Sequence, residues 1–480
     1  MRNAEAEAIA LAGGEPAREL VISLLEQVAQ VAQLLERVEE LERRLSRDST
    51  NSSLPPSRDP PLTRQQRRAL ARERAKASLR KAGGQPGHEG KTRELAAPEQ
   101  VTAGFDHLPV GCGCGHLFDG GEERLGDPVK HHKWELPVIA PDVIEHRRWR
   151  LACPVCGKGA LAELPDGVSA SALGPRLEAH IAVFAGVYRL SRRQIADIVT
   201  HVFGCPISVG AVDAAIARMS RALADPWAEL RDAVRHADAV YTDETSWRLR
   251  GQTSWLWVAA SSLLACYRID PSRSQQAAKM LLGEDFGSFV ITDRYVGYHW
   301  LDVLQQQLCW AHAIRQFTEL SERPGAPGKL GRKLLAAARD VFAAHRAYLQ
   351  DDRDLAWLKS RLDPCRDHIE QLLKQGARSR HPKTARFCSN LLDEYVALWT
   401  FCEVPGIDPT NNAAERALRH AVILRKVSLG TQSERGNRRI ERVCSVRESC
   451  RLQHRPVIDY LIAVATAAQQ RRPIPTLVPT

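Results

Sequence analysis

Two short apolar runs in this chain each end on a carboxylate. Ala239-Val-Tyr-Thr-Asp243 and Ser288-Phe-Val-Ile-Thr-Asp293 share the pattern of a buried strand closed by Thr-Asp. Carboxylates at the ends of buried strands are tolerable when a cation compensates them, so the repeat points to a divalent-metal site. Holding two Mg²⁺ (or Mn²⁺) ions takes a third acid, and such a pair can activate a nucleophilic oxygen and stabilise a leaving one. Glu415, in Pro409-Thr-Asn-Asn-Ala-Ala-Glu-Arg-Ala-Leu-Arg419, is the candidate. Asn412 and Glu415 also have the Ncap-to-N3 spacing of a capping box, a role compatible with metal ligation. Glu244, Glu403 and Asp408 are rival acids that spacing does not exclude. Arg416, Arg419, Arg425 and Lys426 follow on the same segment, where a DNA backbone phosphate would lie beside the ions.

A second constellation uses sulfur. Of 12 cysteines, four form two close pairs, Cys112-Gly-Cys114 and Cys153-Pro-Val-Cys156, with 38 residues between them. Each pair can present two thiolates to one ion from a tight turn, with Gly111, Gly113, Gly115 and Gly157 supplying the backbone freedom. Two such turns brought together give a tetrahedral four-thiolate structural Zn²⁺ site. His107, His116, His131 and His132 lie nearby and could replace a ligand. The other eight cysteines are scattered singly and are expected in the core.

The acids need a sheet and the basic residues a helix to position them. After Ala237 the hydrophobic period turns extended. Ser254-Trp-Leu-Trp-Val-Ala259 and Leu263-Leu-Ala-Cys-Tyr-Arg-Ile269 read as antiparallel partners of the first strand, and Ser274 to Leu282 as a helix. Upstream, Arg189 to Val199 and Val209 to Met219 read as two helices broken at Phe203-Gly-Cys-Pro-Ile-Ser208, with Ser191 and Ser208 as N-caps. The pair is either a helix-turn-helix-like DNA reader or an ordinary helical hairpin. Near the N-terminus Val21, Leu24, Val28, Val31, Leu35, Val38 and Leu45 recur in steps of three and four, broken only at Glu42. That is an a/d heptad pattern, so a short dimerising coiled coil is expected up to the Ser/Asn-rich stretch before Pro55-Pro56.

Charge is distributed unevenly over the 480 residues. The net charge of +10 resolves into +8 between Arg58 and Arg93, +8 between Arg416 and Arg455, and −6 over the remainder. Local basic fields of this kind suit a phosphate backbone, whose neutralisation releases counterions. The first segment, with Arg67, Arg68, Arg72 and Arg74, lies in a Pro- and Gly-rich linker and reads as a DNA-binding arm. Hydrophobic residues at 44% and charged residues at 26% exclude wholesale disorder and a membrane-embedded class. The charge-free run Gln252 to Tyr267 is too short and too polar to span a bilayer. Nothing marks export, so no membrane partner and a cytoplasmic, nucleoid-associated location are expected.

Taken together, these pieces resemble the transposases of the insertion sequence 66 family. The resemblance rests on the heptad helix, Asn51-Ser-Ser-Leu-Pro-Pro-Ser, Gly83-Gly-Gln-Pro-Gly-His-Glu-Gly, the paired cysteines, Tyr241-Thr-Asp-Glu-Thr, Thr292-Asp-Arg-Tyr-Val-Gly-Tyr, Cys309-Trp-Ala-His, Asn411-Asn-Ala-Ala-Glu-Arg-Ala-Leu-Arg and Gly430-Thr-Gln-Ser-Glu-Arg-Gly. It implies an Asp-Asp-Glu (DDE) triad at Asp243, Asp293 and Glu415 on an RNase H-like sheet. It also implies Mg²⁺-dependent cutting and joining at terminal inverted repeats. Cys309-x-x-His312 becomes a structural strand-to-helix segment. The sequence departs from the family's pattern at His420, where Pro is usual, and in the shortened first cysteine pair. The 122 positions from Asp293 to Glu415 exceed what a bare RNase H-like fold needs. Lys329 to Leu349 and Leu355 to Gln375 accordingly read as a helical insertion.

The expected architecture is a multidomain α+β chain. It comprises a coiled-coil helix (1–50), a basic linker (51–100), a zinc-finger-like module (101–165) and a helical, HTH-like domain (166–236). An RNase H-like α/β catalytic core follows in two parts (237–318 and 399–480) around a helical insertion (319–398). The expected function is a DDE transposase acting on terminal inverted repeats and target DNA, a homo-oligomer through its coiled coil, with accessory proteins of the same element as further candidate partners. The alternative is a non-catalytic, zinc-containing DNA-binding regulator derived from a transposase.

Overall fold

The computed structural model describes residues 93–479 together with 14, 22–28, 30, 31, 34 and 69. Most of the expected coiled coil and linker, including Arg67, Arg68, Arg72 and Arg74, lies outside the described residues. Residues 22–28, 30, 31 and 34 are helical, with Leu24, Val28 and Val31 exposed. The chain divides into two compact units, Pro60–Ala140 on one side and Met1–Asp59 with Pro141–Thr480 on the other. The division falls between the two cysteine pairs.

In the first unit the described chain is mostly irregular. It is organised by a turn at Gly111–Leu117, by Arg93 stacked 5.3 Å over the Trp134 ring, and by the Ala96 N–H donating to His132 Nδ1 at 3.0 Å.

The second unit begins with a small hairpin, β1 (Arg150–Ala152) and β2 (Gly159–Leu161). Four helices follow: α1 (Pro175–Gly186), α2 (Arg192–His201), α3 (Val209–Ala222) and α4 (Ala224–Arg235). Ser191 and Ser208 are N-caps as expected, accepting from Gln194 N at 3.3 Å and Ala211 N at 3.1 Å. Ile181, Ile195, Val199, Val212 and Ile216 give α1–α3 a small core of their own.

The sheet is built from β3 (Ala239–Leu249), β4 (Gln252–Ala260), β5 (Ala265–Asp270), β6 (Phe289–Thr292) and β7 (Gln306–Leu308), in the order β5-β4-β3-β6-β7. The first three strands are antiparallel neighbours; β6 joins β3 in parallel and β7 joins β6 in parallel. Between β5 and β6 lies α5 (Gln275–Leu282), capped by Ser274. After β7 come α6 (Trp310–Ser321), α7 (Gly325–Gln350), α8 (Leu355–Ala377), α9 (Pro382–Asp393) and the single turn α10 (Thr400–Glu403). The chain ends with α11 (Asn412–Ser428), α12 (Glu434–Leu452) and α13 (Val457–Gln469). α7 and α8 each run within a few residues of the bounds read from the sequence. Among the described residues no helix is long and apolar enough to cross a membrane.

Strand alternation sends the apolar residues to two cores. Tyr241, Trp247, Leu256, Val258 and Ile291 meet the helices after β7 and α11. Val240, Trp257, Ala259 and Val290 meet α1, α4, α5 and α13. The outer edge of β5 is covered by α12, whose Glu441, Ser445 and Ser449 side chains accept the N–H groups of Ile269, Tyr267 and Ala265 at 2.8, 2.9 and 2.9 Å. Four helix residues rise about 6 Å and two strand residues about 6.7 Å, so side chains at i, i+4 and i+8 match alternate strand donors. Gly430, with φ +97°, lets the chain leaving α11 pass against β3, where an added Cβ would stand 2.2 Å from the Arg248 carbonyl oxygen. The Gly430-Thr-Gln-Ser motif thereby clasps the β3–β4 hairpin, with Thr431 N donating to Arg248 O at 2.9 Å and Ser433 capping α12.

His420 is buried where α11 meets the end of α1, its Nε2 2.9 Å from Gly186 O. Burial, followed by the charge of Arg447, pushes its pKa down to about 4, with Arg189 adding to the effect and the Gly186 carbonyl opposing it. The ordinary histidine value is about 6.5, so the fold disfavours the protonated ring. The stabilisation is whole above about pH 6.5 and is lost as pH falls through 4, an expected loss of roughly 2 kcal/mol after allowance for solvent screening. Urea midpoints at pH 7 and pH 4.5 should show this loss in the parent and a smaller one in His420→Gln.

Candidate active site

β3 and β6 run in parallel with Tyr241 opposite Ile291. Asp293 follows the last residue of β6, whereas Asp243 stands two residues past the β6 pairing but inside β3, which runs on to Leu249 beside β4; the expectation of a strand closed by Asp243 is therefore not met. Both aspartates are half-buried, and Asp243 shares the face of Tyr241, on which α11 packs. Glu415 lies in the first turn of α11 and is exposed. Burial, then the charges of Glu244 and Asp293 and more weakly Glu415, push the Asp243 carboxyl well above the usual carboxylate range, against the pull of the Glu244 N–H at 2.8 Å. Asp243 thus senses both partners that the sequence assigns to it.

The donor set suits a hard cation: oxygen ligands from carboxylates whose like charges resist ionising together. As placed, no group of three or more His, Cys, Asp or Glu among the described residues is close enough to hold an ion. Local bonds account for part of this. Asp243 Oδ1 accepts from Glu244 N and Asp293 Oδ1 accepts from Tyr295 N at 3.0 Å, so sharing an ion asks each side chain to exchange a backbone partner.

The rival acids have other partners. Glu244 points to the opposite face of β3, where it accepts from Arg273 Nε at 2.6 Å and Tyr298 OH at 2.9 Å. Glu403 pairs with Lys359 and, at 3.2 Å, with Arg366 in the helical insertion. Asp408 accepts from Tyr241 OH at 2.9 Å. The capping-box reading of Asn412 and Glu415 is overturned. The helix begins one residue earlier, with Asn411 as N-cap, and the Asn411 side chain donates to Thr242 O at 2.7 Å instead of capping.

Arg416, Arg419 and Lys426 are exposed on α11 beside Glu415, as a phosphate contact requires. Arg425 is half-buried and spends its guanidinium on Thr245 Oγ1 at 3.2 Å and on Ser246. Most of the other arginines of the second basic segment have partners within the chain. On α12, Arg435 pairs with Asp213 at 3.0 Å, Arg438 with Glu441 at 3.1 Å, and Arg447 and Arg451 with buried Glu448 at 2.8 and 2.6 Å. Arg442 donates to Ser220 O at 2.7 Å. Summed charge along the chain could not distinguish these internal ion pairs from a free basic face.

Each cysteine pair sits on a turn of the same kind. Cys112 N donates to His116 O at 2.8 Å and Gly115 N returns to Cys112 O at 2.9 Å; Cys153 N donates to Lys158 O at 2.8 Å and Gly157 N returns to Cys153 O at 2.9 Å. Gly115 and Gly157 take φ of +96° and +70°. The one-residue difference in cysteine spacing is absorbed in turn length. The Cys114 backbone N–H and thiol lower the Cys112 pKa, and the backbone N–H groups of Cys156 and Val155 lower that of Cys153. Those are turns that favour thiolates.

Sequence reasoning missed Arg273. It bonds Glu244 and lies 3.8 Å from the Tyr295 ring centroid, beneath the loop that carries Asp293. An arginine between a strand and a helix cap carries no local signal of such a role.

The sheet, helices α1 to α11 and all three acids fall within residues 170–439, the span matched by the model of the Transposase IS66 family. The chain belongs to that family. Residues 3–94 match a family of unknown function (DUF6444). Two proteins of Sinorhizobium fredii (strain NBRC 101917 / NGR234) are similar to the chain. Uncharacterized protein y4qI is 27% identical over 277 residues, 50% of each chain. Uncharacterized protein y4jD is 23% identical over 384 residues, 71% of each. The matched part of this chain thus spans about half the length of the first of these relatives.

Proposed function

We propose that this chain is a DDE-type transposase that cuts and joins DNA at the terminal inverted repeats of an insertion sequence. The observation that supports it is that β3 and β6, far apart in sequence, are parallel neighbours, that α11 packs on β3, and that the Asp243 carboxyl feels the charges of Asp293 and Glu415. The strand order β5-β4-β3-β6-β7 supports the RNase H-like reading of the core. Asp243, Asp293 and Glu415 would hold the two Mg²⁺ or Mn²⁺ ions. Those ions, when bound, supply activation of the attacking oxygen and charge neutralisation at the leaving one.

The chain's own part is to hold the DNA so that chemistry occurs at one phosphodiester. Arg416, Arg419 and Lys426 lie within three turns of Glu415 on the exposed side of α11 and grip phosphates without reading sequence. Water cleaves the bond at the element end to leave a 3′-hydroxyl. That hydroxyl then attacks a target phosphodiester, displacing a second 3′-hydroxyl, so no covalent protein–DNA bond is needed. Strand transfer with labelled terminal-repeat DNA and Mg²⁺ tests the reading. Joined products support it, whereas a protein that shifts the ends and never nicks them is the regulator instead.

Each cysteine turn would present two thiolates to Zn²⁺, and the N-terminal heptads suit a homo-oligomer. Purified protein is expected to carry zinc, and Cys153→Ser to carry less of it. Metal analysis with a chromogenic chelator checks this, and a zinc-free parent would overturn it.

A further inference from the structure

The geometry points to Asn411 and Cys309 as a positioning clasp that sets the separation of the three acids. This rests on the metal-site reading above. Asn411 is fully buried, and its Nδ2 donates to Thr242 O at 2.7 Å, the peptide leading into Asp243. Its backbone N–H donates to Cys309 Sγ at 3.1 Å. Cys309 N in turn donates to Thr292 O at 2.8 Å, the peptide leading into Asp293. Glu415 N donates to Asn411 O at 3.2 Å, and Trp310 N to Pro409 O at 2.9 Å. An unbroken run of hydrogen bonds therefore joins the residue before each aspartate to the helical turn that carries the glutamate.

The chemistry of the two side chains fits this task better than it fits packing. Asparagine is neutral and brings an N–H donor to the Thr242 carbonyl. Aspartate would lose that donor and add a fourth negative charge to a crowded carboxylate site. Asn411 Oδ1 is buried with no hydrogen-bond partner. An unpaired buried acceptor is destabilising, so stability alone would favour a different residue. Cys309 is buried, 2% exposed, and its sulfur serves as a compact acceptor for a helix-start N–H. Side chains that hold ligands in place without touching the ion commonly change metal affinity by about 10–100-fold when removed.

The test uses the full-length zinc-loaded protein and compares Asn411→Ala, Cys309→Ala and Cys309→Ser with the parent and with Asp243→Asn. Two readouts are taken. One is the Mn²⁺ concentration that half-saturates the rise in melting temperature without DNA. The other is the Mg²⁺ concentration that half-saturates cleavage of terminal-repeat DNA. Asn411→Ala and Cys309→Ala are expected to raise both by about tenfold or more with terminal-repeat binding retained. Cys309→Ser, which keeps an acceptor, should fall between Cys309→Ala and the parent. Parent-like metal dependence in both alanine variants overturns the clasp. Should Asn411→Ala fail to fold, the Cys309 pair decides, with equal metal dependence for Ala and Ser counting against it. An Asp243→Asn variant that keeps the Mn²⁺ response and cleaves would sink the metal site itself. Loss in Asp243→Asn beside parent-like alanine variants would sink only the clasp.

Discussion

Asp243→Asn is expected to lower Mg²⁺-dependent cleavage at least about a thousandfold, roughly 4 kcal/mol in the barrier, with terminal-repeat binding little changed. The substitution keeps size and shape, and the amide oxygen can still accept from the Glu244 N–H, so the local backbone has no reason to move. It removes a carboxyl on which both other acids act. Because Asp293 and Glu415 both act on Asp243, a neutral side chain there relieves their repulsion and should leave the metal-free fold at least as stable. Lost chemistry in a protein no less stable, with binding intact, separates a ligand role from a structural one. Glu403→Gln supplies the contrast, since its partners Lys359 and Arg366 belong to the helical insertion. That variant should cleave as the parent does. Gel shifts and single-turnover cleavage on the same labelled ends measure both quantities, and parental cleavage by Asp243→Asn would remove it from the site.

The two apolar runs before the aspartates were legible as strands because their period and composition are local signals, but the end of the first was not: β3 runs on past Asp243 to Leu249, held by its pairing with β4. The long insertion helices were legible for the same reason: α7 and α8 keep an apolar face over many turns. What escaped was pairing between distant segments. Asn412 was the expected N-cap, and the shift to Asn411 accompanies a side-chain bond to Thr242, 169 positions upstream. The arginines of α12 look like a DNA-facing run until Asp213, Glu441 and Glu448 are seen to be their partners. Local periodicity cannot carry such information, because the decisive atom lies on another element.

The edge of the sheet gives the largest expected effect on stability. Glu441 is 1% exposed, and one of its carboxylate oxygens accepts the Ile269 N–H while the other meets Arg438. An unpaired edge donor in this place has no water to turn to. Glu441→Ala removes a charge-assisted acceptor, leaves the Ile269 N–H buried and unsatisfied, and opens a gap between α12 and β5. Losing the acceptor and stranding the donor together should cost about 3 kcal/mol, below the upper range for buried ion pairs because Arg438 is half exposed and regains water. Ser445→Ala strands only the Tyr267 N–H and loses a neutral bond, so about 1–2 kcal/mol is expected. Glu441→Gln keeps an acceptor at the right reach and should cost less than Glu441→Ala. Urea unfolding should rank the variants Glu441→Ala, then Ser445→Ala. Hydrogen exchange at Ile269 should speed up in the first and at Tyr267 in the second, because each serves one donor of the β5 edge. Equal exchange at both amides in both variants would mean that α12 does not guard that edge.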